Sequence, residues 1–388
     1  MINKIAIIEL DYHVECLNTL CKVFSFSNIE IKIITKKSIE LEINSSGDYN
    51  KYKWITFSEG ESMSKFIYKN LHEINSCDII LFNTLASNFR IFSKINFKVP
   101  TVLRIHNSNS YLNPLSNLKF KITPYFLFKD ISHIVRLTIL KLDWYYRRKC
   151  INKMSYLNFN SPEIEEYARN KSILKHYRTC LSIPTTCSNL DIPVKLPERN
   201  NYFFTVNGTI ESKRRDYDFL LKSFQNLIPR LKTNVFLTFA GRPKGTYAKN
   251  IIKKFKKLEN KYFTFRFFKK RIPQSEFDNL MLQTDCIIAP INIKTKYTIY
   301  KEEYGKTKFS GSVGDIIHYR KIGIVPSEYK LNKHQKKYMY QYNSNKDLSD
   351  ILFSIISNKP IINEDYFQSS SPVNIYNNIL NTFNKLEI

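Results

Sequence analysis

Lys306-Thr-Lys-Phe-Ser-Gly-Ser-Val-Gly-Asp-Ile-Ile-His-Tyr-Arg-Lys-Ile-Gly-Ile-Val-Pro326 is the stretch on which the reading of this chain turns. It holds three of only nine glycines, two of them in the turn Ser310-Gly-Ser-Val-Gly314 ahead of a helical run and a short apolar strand. Small residues and hydroxyls at a helix start leave backbone N–H groups free to face an anion, and the helix dipole favours negative charge there. Lys306 and Lys308 add positive charge at the same place. On this segment alone two readings stand open: a diphosphate cradle, or an ordinary loop–helix–strand unit of an α/β domain.

Working outward, 388 residues are too many for one typical core and predict two domains. Hydrophobic content of 43% lets both bury a core. Asn, Ile, Lys and Tyr are abundant while Gly and Pro are scarce, a bias of AT-rich genomes that inflates the formal charge of +26. A charge of that size still attracts phosphate-bearing partners: anionic lipid, nucleotide or nucleic acid. The seven cysteines are scattered with no C-x-x-C pair, which predicts neither a zinc site nor a disulfide framework and points to a reducing cytoplasm. The start of the chain has a strand pattern without a basic leader, and no uncharged apolar run is long enough to span a bilayer. The expectation is a soluble or peripheral protein.

Strand and helix patterns alternate. Ile5–Ile8, Ile29–Ile34, Asp78–Phe82, Pro100–Ile105 and Tyr156–Phe159 give five expected strands, with Cys16–Phe24 helical and Ser161-Pro-Glu163 opening a further helix. Leu190–Asn201, with two prolines and no period, reads as a linker. Strands then recur at Tyr202–Val206, Asn234–Ala240, Phe263–Phe268, Cys286–Ala289 and Ile322–Val325. Helices are expected at Tyr217–Leu227, Ile251–Leu258, Ser275–Leu282, Gly314–Tyr319, Leu348–Ile356 and Val373–Leu386. This pattern predicts two α/β domains, each a doubly wound parallel sheet.

Residues 119–149 stand apart, with basic and aromatic side chains interleaved. Ile131, Val135, Thr138, Leu142 and Tyr145 fall on one face of a single helix. Such a helix can lie on an anionic membrane surface, or can be a core helix with a solvated basic edge. No nucleic-acid recognition motif accompanies it.

With these pieces in order, the second half resembles the donor-binding domain of a GT-B glycosyltransferase, most similar to glycosyltransferase family 4. The residues that carry the resemblance begin with Phe204-Thr-Val-Asn-Gly208 and the basic Lys213-Arg214 that follow. Leu237-Thr-Phe-Ala-Gly241, the loop around Ile272, Thr284-Asp-Cys-Ile-Ile-Ala-Pro290 and the opening stretch complete the set. The resemblance implies two Rossmann-like domains facing across a cleft. Residues 1–195 would bind the acceptor, 196–370 the nucleotide sugar, and a helix over 371–388 would pack back on the first domain. It also implies a cytoplasmic, metal-independent hexosyltransferase with no cofactor. Its donor would be UDP- or GDP-linked and its acceptor a glycan or polyprenyl-linked lipid of bacterial surface polysaccharide (capsule or O-antigen), with the chain peripheral on the inner face of the plasma membrane and no nucleic-acid partner.

The same resemblance assigns the site. Gly208, Lys213, Arg214, Lys308, Ser310, Gly311, Ser312 and Gly314 would hold the diphosphate, Asp315 the ribose, and the Ile272 backbone the base. His106 and Glu303 would be catalytic, and His13 and Asn107 would line the acceptor side. Against these stand plainer roles, since Lys213-Arg-Arg215 can be a solvated cluster, a lone histidine a structural one, and Asp315 a helix-start preference. One departure is visible: where the family's Glu-x7-Glu pair begins, this chain has Thr307, with Glu302 and Glu303 a few residues upstream. Retention of configuration, which the resemblance implies, is left open by that departure. If the enzyme inverts, His106 could act as base. A nucleotide-sugar epimerase and a catalytically inactive GT-B-like partner are the alternatives.

Overall fold

The computed structural model describes residues 2–386 apart from 46, 48, 119–141, 172, 181, 182, 195–199, 298 and 359. The chain forms two compact units. One comprises Met1–Thr186, Lys296–Glu302 and Pro372–Ile388, and the other Cys187–Thr295 and Glu303–Ser371.

In the first unit, strands β1 (Lys4–Glu9), β2 (Glu30–Lys36), β3 (Lys53–Phe57), β4 (Ile79–Thr84), β5 (Thr101–Ile105) and β6 (Tyr156–Phe159) form one sheet in the order β3-β2-β1-β4-β5-β6. Every pairing is parallel. The inner strands are near-continuous apolar runs because helices cover both faces of such a sheet. The Asp78–Phe82 run, expected as the third strand, is the fourth. Lys53–Phe57 precedes it, and as a half-buried edge strand it lacks the apolar run that marks the others. The helix Pro372–Phe383 buries Ile375, Ile379 and Phe383 in this unit, packed with the helix Val14–Phe24.

In the second unit, β7 (Asn201–Asn207), β8 (Asn234–Ala240), β9 (Phe263–Phe267), β10 (Cys286–Ile288), β13 (Ile322–Pro326) and β14 (Met339–Tyr342) pair in the order β14-β13-β10-β7-β8-β9, again all parallel. Phe224, Phe239, Phe255, Phe263 and Phe265 pack in its core with ring centroids 4.8–6.1 Å apart. In the chain between β10 and β13, β11 (Lys294–Tyr297) and β12 (Tyr300–Glu303) pair with each other, most of their residues belonging to the first unit, and both are too short and too charged to announce themselves in the sequence. In each sheet the strand order reverses once, between β1 and β4 and between β7 and β10. Open α/β sheets bind ligands beyond the carboxyl ends of the strands at that reversal.

The single basic helix expected through Leu142 is corrected. Residues 119–141 lie outside the described structure, Leu142 has a left-handed φ of 47°, and the helix starts only at Asp143 and runs to Lys153. Asp143 in the first turn pairs with Arg147 one turn on, which suits a helix start rather than a helix interior. Among the described residues no helix is long and apolar enough to cross a membrane.

Candidate functional site

At the reversal of the second sheet, β7 ends in Asn207 and turns through Gly208 at φ +87°. A side chain there would collide with Arg215, whose guanidinium occupies the space a Cβ would need. The loop carrying Arg215 is tied down on the far side of the reversal. The Asp216 N–H donates to the Pro290 carbonyl (2.8 Å), the Asn292 N–H to the Arg214 carbonyl (3.0 Å), and Arg215 bridges Ile291. Asp216 then caps the Tyr217–Leu227 helix by accepting from the Phe219 N–H. So fixed, Arg215 donates from Nη2 to Ser312 Oγ (3.0 Å) in the first turn of the Gly311–His318 helix. Asn207 Nδ2 donates to Asp315 Oδ2 (2.9 Å) on that helix. The buried Arg215 Nε and Asn207 Oδ1 have no hydrogen-bond partner, so a polar cluster with unmet hydrogen-bonding demand sits among a glycine turn, an arginine and a helix start.

The sequence-predicted residues distribute unevenly around this point. Gly208, Ser312 and Asp315 are brought together, with Ser310 and Gly311 beginning the same helix and the Gly314 N–H donating to the Ser310 carbonyl. Lys213 is exposed, and Arg214 pairs with Glu211 (2.5 Å). Lys308 lies over the Tyr304 ring at 5.6 Å. Ile272 is half-buried in the loop between β9 and the helix Gln274–Gln283. Thr307 is not an empty place for an acid: it is fully buried, and its hydroxyl accepts from the Glu303 N–H (2.7 Å) in a turn that passes through Gly305 at φ +79°. The Glu303 carboxylate pairs with Lys306 (3.1 Å). Glu302 belongs to the first unit, where its Oε1 accepts from the Ser110 N–H at the start of the helix Ser108–Leu112.

The residue that sequence reasoning missed is Arg215, third in a basic triplet. The available signal was its position immediately before a helix cap and seven residues after Gly208. The chain also carries one Asp-x-Asp triplet, Asp216-Tyr-Asp218, of the type that can hold a metal diphosphate. Asp216 is the helix cap just described, and Asp218 accepts from Tyr247 (2.9 Å) and Lys254 (3.4 Å), so both carboxylates serve the fold.

Desolvation pushes the Asp315 carboxyl up to about 6, against the Asn207 hydrogen bond and the Arg215 charge that favour ionisation. Between the ordinary 3.8 and about 6 the folded chain holds a proton that the unfolded chain has released, so this group makes stability fall as pH rises through that window. Asp315→Asn is therefore expected to match the parent near pH 4 and to exceed it by about 1–2 kcal/mol at pH 7, discounted for partial exposure. Urea unfolding at the two pH values measures the difference.

The first sheet carries a second polar constellation at its own reversal. The β1–β4 register slips after Ile8 and Phe82, so that Glu9 pairs with Thr84 and Asn83 is left as a bulge. Asn83 then serves four partners: Nδ2 donates to Glu9 and to the His13 carbonyl (3.5 Å), Oδ1 accepts from Arg104 Nη1 (2.6 Å), and its backbone carbonyl accepts from His106 Nε2 (2.8 Å). Glu9 and Arg104 are fully buried, and burial raises the Glu9 carboxyl above its usual range. His106 also meets Thr84 Oγ1 (3.2 Å) and Asn160 Nδ2 (3.3 Å). The His13 ring stacks on it, with centroids 4.0 Å apart and planes 8° from parallel. Asn107 begins the next helix, and its Oδ1, with Asn160 Oδ1 and Ser108 Oγ, is buried without a partner.

His13, Cys16 and His106 bring potential metal-ligand atoms within 4.8 Å of one another. Two parallel stacked imidazoles hold their in-plane lone pairs parallel, so they do not converge on one ion as they stand, and the His106 nitrogens already face Asn83 and Asn160. The triad does not fit a resident metal in this arrangement.

No protein-family model and no curated protein matches the chain. Solved structures do. The chain has the GT-B fold, two Rossmann-like units each built on a parallel six-stranded sheet. HepE from Anabaena, crystallised with UDP and glucose, is similar over 99% of this chain and 100% of its own, with 13% identity and a TM-score of 0.59. The N-terminal domain of trehalose-6-phosphate phosphatase from Candida albicans aligns over 100% and 98% at 10% identity and a TM-score of 0.60. MnaA from S. aureus, solved with UDP, aligns over 98% and 95% at 11% identity and a TM-score of 0.51. At these identities the likeness is one of fold.

Proposed function

We propose that the chain is a cytoplasmic glycosyltransferase. It moves a sugar from a UDP- or GDP-linked donor to a glycan or polyprenyl-linked acceptor in bacterial surface polysaccharide assembly, peripheral to the membrane and without nucleic acid. The observation that carries this reading is the joining of Arg215 to Ser312 beside the Gly208 turn, at the reversal of the second sheet. Breaking a glycosidic bond to a diphosphate leaves negative charge on the leaving group, and preorganised N–H groups and a fixed cation stabilise it. The Gly311–His318 helix start and Arg215 are those groups, so the proposed reaction needs no metal and no cofactor. Asp315 and Asn207 are the ribose-side acceptor and donor, Lys308 and Arg214 further cations, and Glu303 a partner for the donor sugar. HepE and MnaA, both solved with UDP, support UDP as the first nucleotide to try.

A thermal-shift screen of UDP, GDP and their sugars tests it. Ligand at about 100 times Kd stabilises a fold by about 2.7 kcal/mol, an upward shift of several degrees in Tm. A flat screen across all of them refutes the reading. Thr307, buried in a turn where the family's first acid would stand, favours a second reading of a catalytically inactive GT-B-like partner. Turnover by the purified chain would exclude that, and sugar epimerised without any acceptor would point to an epimerase.

A further inference from the structure

The Gly311–His318 helix has a second end, built as unusually as its start. Past Tyr319 the Arg320 N–H donates to the Ile317 carbonyl (3.3 Å) and the Lys321 N–H to the Ile316 carbonyl (3.0 Å), the paired bonds of a Schellman cap. Such a cap holds one residue in the left-handed region, where glycine is the usual choice because it carries no Cβ. Here that residue is Arg320, at φ +55° and 3% exposed. An arginine in that strained backbone persists only where its surroundings over-determine it.

What surrounds it is polypeptide that joins the two units. The chain passes from one unit to the other at 186–187, 295–296, 302–303 and 371–372. Just beyond the first of these crossings, the Ile192 (2.9 Å) and Leu190 (3.3 Å) carbonyls accept from Arg320 Nη1. His318 Nδ1 donates to the Cys187 carbonyl (2.9 Å), and the Asn189 N–H donates to the His318 carbonyl (2.9 Å). The last crossing is tied to the same place. The Ser188 N–H donates to the Ser370 carbonyl (2.8 Å), its hydroxyl donates to the Phe367 carbonyl (3.3 Å), and the Arg320 guanidinium lies 5.7 Å from the Phe367 ring centroid. Between its ends the helix is closely seated, because Ile316 fills the space that Gly323 of β13 leaves open. A Cβ on Gly323 would lie 2.6 Å from Ile316 Cδ1. All of these contacts are made within the second unit.

We propose that this helix is a linkage element: a nucleoside diphosphate at its start and the crossing segments clasped by Arg320 and His318 at its end stabilise one another. The inference rests on the nucleotide-sugar reading of the helix start. A ligand orders Ser312 and the first-turn N–H groups, Arg320 orders residues 187–192, and one short, closely seated helix joins the two. Ordering either end therefore lowers the cost of ordering the other. Such coupling is reciprocal: the factor by which the closed clasp tightens the nucleotide is the factor by which the nucleotide tightens the clasp. Arg320 is a positioning residue, acting through the helix that it ends.

The test uses the full chain, UDP as the probe, and amide hydrogen exchange read by mass spectrometry. Saturating UDP is expected to slow exchange over 311–318 and, by about five- to tenfold, over 187–192, where the Ser188 and Asn189 amides are held. Arg320→Gly keeps the left-handed turn without its strain and removes the clasp. In that variant the UDP effect over 187–192 is expected to vanish while 311–318 still responds, so general stabilisation by ligand is not its source. UDP affinity by calorimetry should fall by the same factor that the parent shows over 187–192. A capping role alone predicts otherwise, since glycine suits the turn better: unchanged affinity and a raised Tm. Arg320→Gly binding UDP within about twofold of the parent overturns the proposal, as does a parent whose 187–192 exchange is unmoved while 311–318 slows. Should Arg320→Gly not fold, Arg320→Asn takes its place, asparagine being the other residue that tolerates this turn. If neither folds, the exchange map of the parent decides alone. A parent in which neither UDP nor GDP slows exchange anywhere fails the nucleotide reading, and the inference with it. That result is distinct from a helix start that responds while 187–192 does not.

Discussion

Arg215→Ala is expected to weaken UDP binding by about 10- to 100-fold, the worth of one or two hydrogen bonds to a charged group, while leaving stability within about 1 kcal/mol. The loop ties that hold residue 215 are made by backbone atoms of Arg214, Asp216 and Asn292, and they survive the loss of a side chain. What is lost is the guanidinium beside Gly208 and its bond to Ser312. Lys213→Ala, at an exposed position in the same triplet, is expected to change affinity less than threefold, because an exposed lysine contributes mainly screened charge. Isothermal titration with UDP at two salt concentrations separates the two: the Arg215 loss persists at high salt and the Lys213 loss fades. Equal losses from both variants would mean that the basic loop acts as a diffuse field and that the Gly208–Ser312 geometry is incidental.

Gly241→Ala is expected to cost about 3 kcal/mol or more and to unfold the second unit under conditions the parent tolerates. A Cβ built on Gly241 would lie 1.9 Å from the Gly208 carbonyl oxygen and 2.8 Å from the Thr209 nitrogen, all backbone atoms. The two loops are also joined there, the Ile210 N–H to the Arg242 carbonyl (3.0 Å) and the Lys244 N–H to the Ile210 carbonyl (3.1 Å), so neither can step aside without breaking the other. Gly311→Ala is the control, since nothing lies within 4 Å of its would-be Cβ, and alanine is the better helix former. Urea midpoints should fall steeply for the first variant and hold or rise for the second. If Gly311→Ala nevertheless weakens UDP binding, the open space above that helix start is ligand space.

The fold was legible because inner strands of parallel sheets are apolar on both faces: Ile5–Ile8 and Cys286–Ile288 announce themselves. Lys53–Phe57 and Met339–Tyr342 did not, since edge strands half-exposed on one side carry mixed residues. A helix start was read here from glycines and hydroxyls, but at Gly314, three residues beyond the Gly311 at which the helix begins, so the expected turn is the first turn of the helix. Arg215 was not singled out, because three successive basic residues look alike until a turn decides which one points inward. Thr307 looked like a missing acid, whereas its hydroxyl closes a turn on Glu303. The Glu9–Asn83–Arg104 network was invisible for a deeper reason. Arg104 sits inside the apolar run Thr101–Ile105, and a buried charge is stable only through partners that a register bulge supplies.

The way the chain is threaded bears on how such a protein can evolve. One unit is assembled from three stretches of polypeptide, Met1–Thr186, Lys296–Glu302 and Pro372–Ile388. A single recombination near residue 187 with a distant homologue would therefore import more than the second unit. It would also replace Tyr300, which accepts from Trp144 Nε1 (2.6 Å), Glu302, which caps Ser110, and the closing helix packed with Val14–Phe24. Neither half is a freely exchangeable module. New specificities should arise by point changes in loops such as 211–216, and engineered hybrids should keep 296–302 and 372–388 with the parent of the amino-terminal half.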